Sequence, residues 1–179
     1  DTVTAPRLFK QAGYVTGQFG KWHMGNGRDV NNAPPPTDYG FDESLVAFEG
    51  NGNRLLYWND DGSKYGLSQQ NEDATVGTFR YVYWYEAASN HTDAALAFIT
   101  NAVNAGKPFY MHVPYNDTHS PYNVPPGQEN DFDHITSNTD GKQFLGELHN
   151  LDKQIGRLVQ GIDALGVGND TLIVVVGDN

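Results

Sequence analysis

The chain reads as an α/β domain: a central sheet flanked by helices. Three observations carry that reading. Short apolar runs at residues 15–19, 109–113 and 172–176 have the length and composition of strands. Stretches with helical spacing, 91–103 and 143–165, lie between them. The last run, Leu172-Ile173-Val174-Val175-Val176, is continuous and mostly β-branched, as a strand buried on both faces requires. Helices alternating with such strands pack on the two faces of one sheet.

Residues 3–12 predict a helix with Leu8 and Phe9 on its buried side, closed by Gly13 at its C-terminal cap. The strand 15–19 follows, and then the block Gly20-Lys21-Trp22-His23-Met24-Gly25. Residues 26–36 form a Gly/Asn/Pro-rich loop, and residues 50–66, rich in Asn, Asp and Gly, predict irregular chain. Residues 79–85 are aromatic and alternating, which suits a strand or the wall of a cleft. The helix 91–103 shows its period in Ala94, Ala95, Phe98 and Ile99, with Asn90 or Thr92 as N-cap. Gly106-Lys107-Pro108 ends it, the strand 109–113 comes next, and the Pro-rich segment 114–126 must be a loop. Residues 143–165 predict the longest helix, striped by Leu148, Leu151, Ile155, Leu158, Val159 and Ile162 and stopped by Gly166. No internal repeat or domain boundary interrupts the 179 residues, a length suited to one domain with a real core.

Eleven basic against 22 acidic residues leave a formal charge of −11. That excess argues against a nucleic-acid binder, which would carry a basic patch. It does not exclude an anionic substrate, because the local field at a cationic cluster outweighs net charge. No apolar run approaches the ~20 residues of a membrane helix, and no signal-peptide pattern opens the chain. With no cysteine, these residues hold no disulfide, thiolate metal site or cysteine nucleophile. Asn90, Asn116 and Asn169 each open an N-x-T triplet, which a chain this rich in Asn and Thr produces by chance.

Lys21 and His23 sit two apart at the end of a strand, so they share a face while Trp22 packs behind them. A Lys and a His aimed together suit an anionic group such as a sulfate or phosphate ester. An isolated K-x-H triplet is more commonly a surface Lys beside a half-buried His. His119 lies in the loop after the strand 109–113, where an imidazole can bind an ester oxygen or protonate a leaving group. Asp178-Asn179 follows the last strand and offers two oxygens suited to a hard divalent cation, although D-N after a strand is also ordinary turn chemistry. Asn116 and Asp117, just before His119, are weaker candidates for a cleft wall. His91 near a helix start, His112 alternating in a strand, His134 in a polar loop and His149 on the long helix read as structural or solvated.

These blocks occur in a particular order. Leu8-Phe9-Lys10-Gln11-Ala12-Gly13-Tyr14 precedes G-K-W-H-M-G. Pro108-Phe109-Tyr110-Met111-His112-Val113-Pro114 leads to His119-Ser120-Pro121, and Asp170-Thr171 leads to Gly177-Asp178-Asn179. In order and spacing the chain resembles the sulfatase family, the arylsulfatase-like branch of the alkaline phosphatase superfamily, nearly end to end. The resemblance implies an alkaline-phosphatase-like central sheet and a packing role for Tyr39-Gly40-Phe41-Asp42. It also implies hydrolysis of R–O–SO₃⁻ with Ca²⁺ (or Mg²⁺). Lys21 would match the lysine that contacts sulfate and nucleophile, His23 the histidine that hydrogen-bonds the nucleophile, and His119 the sulfate-contacting histidine. Asp178 and Asn179 would match half of the metal site. The partners it implies are sulfated small molecules or glycans, and the destination a secreted, periplasmic or lysosomal one.

The family's nucleophile is a formylglycine made from Cys or Ser in a Cys/Ser-x-Pro/Ala-x-Arg motif, which this chain lacks, together with the paired N-terminal acids. Residues 1–179 are therefore expected to be a partial catalytic domain, incomplete at both ends, with the formylglycine outside them. Alone, they are expected to be poorly soluble or unstable, and inactive. Two other readings remain at this point. One is a phosphodiester or phosphonate monoester hydrolase of the same superfamily. The other is a non-catalytic module that binds sulfated glycans. The G-K-W-H block followed by D-N favours the sulfatase.

Overall fold

The structure is a computed structural model that describes residues 2–24, 36–51, 54–59 and 78–177. Its frame is a five-stranded mixed sheet. The strands are β1 (Val15–Lys21), β2 (Glu43–Asn51), β3 (Arg54–Asn59), β4 (Thr78–Tyr83) and β5 (Phe109–His112), in the order β4-β3-β2-β1-β5. β1 is central and parallel to both neighbours, β2 and β5. β3 and β4 extend the β2 side antiparallel.

Alternation decides which helix covers which face. Phe109 and Met111 of β5 join Phe19 of β1 in one cluster with Ala95, Phe98, Ile99 and Ile162. The last four come from α2 (Trp84–Asn104) and α3 (Thr139–Ala164). The Phe19 and Phe98 rings meet at 5.4 Å. Tyr110, between Phe109 and Met111, takes the opposite face, where Phe9 of α1 (Ala5–Gln11) stacks on it at 4.0 Å. Helices thus lie on both faces, as expected. Tyr39-Gly40-Phe41-Asp42 packs beneath the start of β1. Phe41 is buried with Trp22 and Val46. Asp42 accepts the Thr16 N–H at 3.0 Å and pairs with Lys10. Among the described residues no helix is long and apolar enough to cross a membrane.

Several expectations need correction. Leu8 is exposed rather than buried, because a helix of seven residues presents one narrow face to the sheet and Phe9 occupies it. Residues 43–51 and 54–59 are strands, although 50–66 reads as irregular; pairing with sheet neighbours overrides weak local propensity. Of that stretch, residues 52–53 and 60–66 lie outside the described residues, as do residues 26–35 of the Gly/Asn/Pro-rich loop.

α2 starts at Trp84, directly after β4, and neither Asn90 nor Thr92 caps it. Glu86 does part of that work, its Oε2 accepting the Tyr83 N–H at 3.1 Å. His91 consequently sits inside the helix and is fully buried. α3 starts at Thr139, with Asn138 Oδ1 accepting the Gly141 N–H at 2.7 Å, and Leu148 of its expected stripe is exposed. The expected strand 172–176 pairs with no strand among the described residues. It runs exposed, from 88% at Leu172 to 81% at Val176. β-branched side chains suit a buried strand, but a strand forms only where a neighbouring ladder receives its hydrogen bonds.

Candidate functional site

β1 delivers Lys21, Trp22 and His23 to the carboxyl edge of the sheet. Gly20 stands just before them at φ +142°, a conformation side chains rarely adopt, and a Cβ there would lie 2.1 Å from the Pro114 carbonyl oxygen. That close approach lets the Lys21 N–H donate to the same oxygen at 2.7 Å. Trp22 turns inward onto Tyr39 and Phe41, ring centroids 5.3 and 6.3 Å away, and its backbone N–H donates to the Ala47 carbonyl. Along 21–23 burial goes from intermediate to buried to exposed, so the tryptophan turns inward between the lysine and the histidine. β1 ends at Lys21, and His23 lies just outside it.

β5 delivers His119. Its loop begins at the Pro114 contact and continues through Tyr115, whose hydroxyl meets Thr92 Oγ1 of α2 at 2.9 Å. The Asn116 carbonyl accepts the His119 N–H at 3.2 Å. His119 Nδ1 lies 2.6 Å from the Ser120 carbonyl oxygen. A carbonyl only accepts, so that contact places a hydrogen on Nδ1, and Nε2 is the atom free to take up or release a proton. The imidazole lies parallel to Trp84, the first residue of α2, with ring centroids 6.5 Å apart. At the far end the loop grips α3. The Asn123 N–H donates to Glu147 Oε1 at 2.6 Å, and the Tyr122 ring meets the edge of Phe144 at 5.6 Å.

β1 and β5 pair in parallel, Gln18 opposite His112, so the Lys21 end and the His119 loop leave the sheet at one edge. Ligands of open α/β sheets gather at such carboxyl edges. An ammonium and imidazole N–H groups at such an edge are chemically suited to an anion.

Other candidates fall elsewhere. Asn116 is buried and Asp117 half-buried. His112 accepts or donates at Tyr110 Oη, and burial lowers its proton affinity. Burial holds His91 neutral down to about pH 3. His134 lies in an exposed turn, and His149 sits beside Phe132. Asp178 and Asn179 lie outside the described residues. Among the described residues no group of three or more His, Cys, Asp or Glu is placed to hold a metal.

Trp84 belongs to the aromatic run 79–85 that suits a cleft wall, and Glu147 was not singled out. Trp84 has no local signature that links it to His119. Glu147 has one, since it precedes Leu151 and Ile155 at four-residue steps, and an acid in an apolar stripe is a buried acid that needs a partner.

A family model described as Sulfatase matches residues 1–179. Mouse (Mus musculus) Arylsulfatase J is 27% identical over 184 residues, covering 100% of this chain and 29% of that protein. The solved structure of Ps i-CgsB with k-i-k-neocarrahexaose superposes with a TM-score of 0.64 at 24% identity, over 90% of this chain and 36% of that one. BT4656 in complex with its substrate D-glucosamine-2-N,6-O-disulfate superposes with a TM-score of 0.65 at 16% identity, over 95% and 48%. The fold is the alkaline-phosphatase-like one of these structures. The chain spans 24% to 32% of the length of the first curated relatives it matches.

Proposed function

The chain belongs to the sulfatase family, and on that premise we propose that the whole protein hydrolyses sulfate esters, R–O–SO₃⁻, of sulfated sugars. The observation that supports it most is the tie between Lys21 and the His119 loop. The Lys21 N–H to Pro114 bond ties the strand end that carries Lys21 to the start of the loop that carries His119, and this supports a site in which one tetrahedral anion meets both side chains.

Lys21 neutralises sulfate oxygens, and His119, protonated at Nε2, donates to the ester oxygen. As the S–O bond breaks, that proton passes to the departing alcohol oxygen and leaves a neutral alcohol, with His119 neutral and ready to be reprotonated. His23, at the rim of the same edge, orients the attacking group. A formylglycine outside this chain would supply that nucleophile. A Ca²⁺ or Mg²⁺ on Asp178 and Asn179 would add positive charge, and the contacts of Lys21 and His119 do not depend on it. The sugar specificity follows the two solved relatives, whose bound ligands are a neocarrahexaose and a disulfated glucosamine. A secreted, periplasmic or lysosomal destination belongs to the same proposal.

The test is sulfate release by the purified whole protein from p-nitrophenyl sulfate and from sulfated oligosaccharides, beside bis-p-nitrophenyl phosphate. Sulfate release that drops about 10²-fold or more in Lys21→Ala and His119→Ala supports the proposal. Phosphodiester turnover without sulfate release would point to the phosphoryl branch, and tight binding without turnover to a binding module.

A further inference from the structure

A short stretch of α3 holds the far end of the His119 loop. The Tyr122 ring meets the edge of Phe144 at 5.6 Å. A Cβ on Gly146 would lie 2.6 Å from Val124 Cγ1, so loop and helix come too close there for a side chain. Gln128 Nε2 donates to Asn150 Oδ1 at 3.2 Å. Between these contacts the Asn123 N–H donates to Glu147 Oε1 at 2.6 Å. Phe144, Glu147 and Asn150 stand three residues apart and line one face of the helix. Of these contacts, the one made to the loop's main chain is that of Glu147.

Glu147 is 2% exposed. Burying a carboxyl costs free energy that an apolar residue of the same stripe, such as Leu151, does not. The bond to Asn123 offsets that cost, and it gives a loop amide outside any strand ladder the acceptor it needs. We infer that Glu147 is a positioning residue for His119. Its Oε1 fixes the second end of a span, residues 115–122, whose first end is fixed by the Lys21 N–H at Pro114. Before His119, that span is held by Tyr115 on Thr92 and by the Asn116 carbonyl on the His119 N–H. After His119, the chain meets α3 at Tyr122 and Asn123. The role given to His119 rests on the sulfate-ester proposal, whereas the clamp itself does not.

The clamp needs an acceptor oxygen and no charge. Burial pushes the Glu147 carboxyl up to about 8, against the pull of the Asn123 N–H, so at neutral pH it is an uncharged acid. A glutamine in its place offers the same kind of carbonyl oxygen. A loosened loop would show in the chemistry in a particular way. His119 gives its proton to the departing oxygen, and that proton matters most where the alcohol is a poor leaving group. Nitrophenolate carries its own charge away and needs little help. A general loss of folded protein would instead slow both kinds of ester alike.

The experiment compares the whole protein with Glu147→Gln, Glu147→Ala and Glu147→Leu, the last filling the space that alanine empties. It measures kcat/KM at neutral pH with p-nitrophenyl sulfate and with phenyl sulfate, and hydrogen exchange of the segment 115–123. E147A and E147L are expected to lose about tenfold on phenyl sulfate and about threefold or less on p-nitrophenyl sulfate, while E147Q keeps both within about threefold. Exchange of 115–123 is expected to quicken about tenfold in E147A and E147L and to leave the β1 segment 15–21 unchanged. Equal losses on the two esters overturn the inference, as a purely structural glutamate would give them. So does an E147Q protein as slow as the other two, or exchange that quickens throughout the chain. If the wild type hydrolyses neither ester, the proposed function fails and exchange still decides the clamp. Wild-type protection of 115–123 in E147L refutes it, and faster exchange confined to that segment upholds it.

Discussion

His119 lies flat against Trp84, the two rings 8° from parallel. The contact joins a loop that follows β5 to the first residue of the helix that follows β4. With Nδ1 committed to Ser120, the indole face fixes the remaining freedom of the ring, its tilt, and hence the direction of Nε2.

Replacing Trp84 by Ala is therefore expected to lower kcat/KM of the whole protein by about tenfold. The Ala variant also costs about 3 kcal/mol of stability, because the indole is buried. Trp84→Phe, which keeps a flat partner, should recover most of the rate. Steady-state kinetics with an aryl sulfate, read beside Tm, separate the two effects. Equal rates for Ala and Phe would remove the ring contact from the catalytic argument.

Gly20→Ala puts a Cβ into the Pro114 carbonyl at a backbone angle alanine rarely adopts. The strand end and the His119 loop must separate, and the Lys21–Pro114 bond lengthens or breaks. Expected are a loss of about 2–4 kcal/mol in denaturant unfolding and a fall in kcat/KM larger than that of Trp84→Ala. Full activity in a stable Gly20→Ala protein would show that the loop does not depend on this approach.

His91 is buried and neutral in the folded protein and takes up a proton near pH 6.5 when unfolded. The unfolded state thus binds more protons between pH 6.5 and about 3, so stability drops as pH falls through that window. A shift of this size is worth at most about 4–5 kcal/mol. Tm of the wild type should decline across the window and that of His91→Gln should decline less. Parallel curves would contradict the burial argument.

Asp42 acts at lower pH. Burial raises its proton affinity, but Lys10 and the Thr16 hydroxyl and N–H outweigh that and leave it lowered from 3.8. Its contribution is present above pH 3.8 and is lost as pH falls through the folded value below it. In Asp42→Asn the acid limb of the Tm curve should flatten below pH 4, with little change at neutral pH beyond the loss of the Lys10 pair. An unchanged acid limb would assign the acid loss to other groups.

Much of the frame was legible in the chain. The runs 15–19 and 109–113 are short and closed off by Gly13 and Gly20 or by Pro108 and Pro114, and such runs have one good structural solution. Lys21, Trp22 and His23 alternate as an extended segment must. The β2–β3 pair was not legible, because its residues become strands only through each other and through β1 and β4. The start of α2 was hidden because Glu86 helps to cap a tyrosine, a residue outside the usual N-cap set. Trp84 meets His119 across distant segments, a contact that leaves no local periodicity to read, whereas Glu147 was legible as an acid in an apolar stripe but its partner Asn123 was not. Leu172 to Val176 shows the reverse error: strong propensity, and no ladder among the described residues to join.

The tie between the Lys21 strand end and the His119 loop uses main-chain atoms, an amide of one residue and the carbonyl of another. The loop's far end is likewise held through the amide of Asn123. Neither fastening uses the lysine ammonium or the imidazole. Exchanging the side chain at 21 or 119 would therefore leave the main-chain tie between strand end and loop in place, while the ring of His119 adds its own contacts to Ser120 and Trp84.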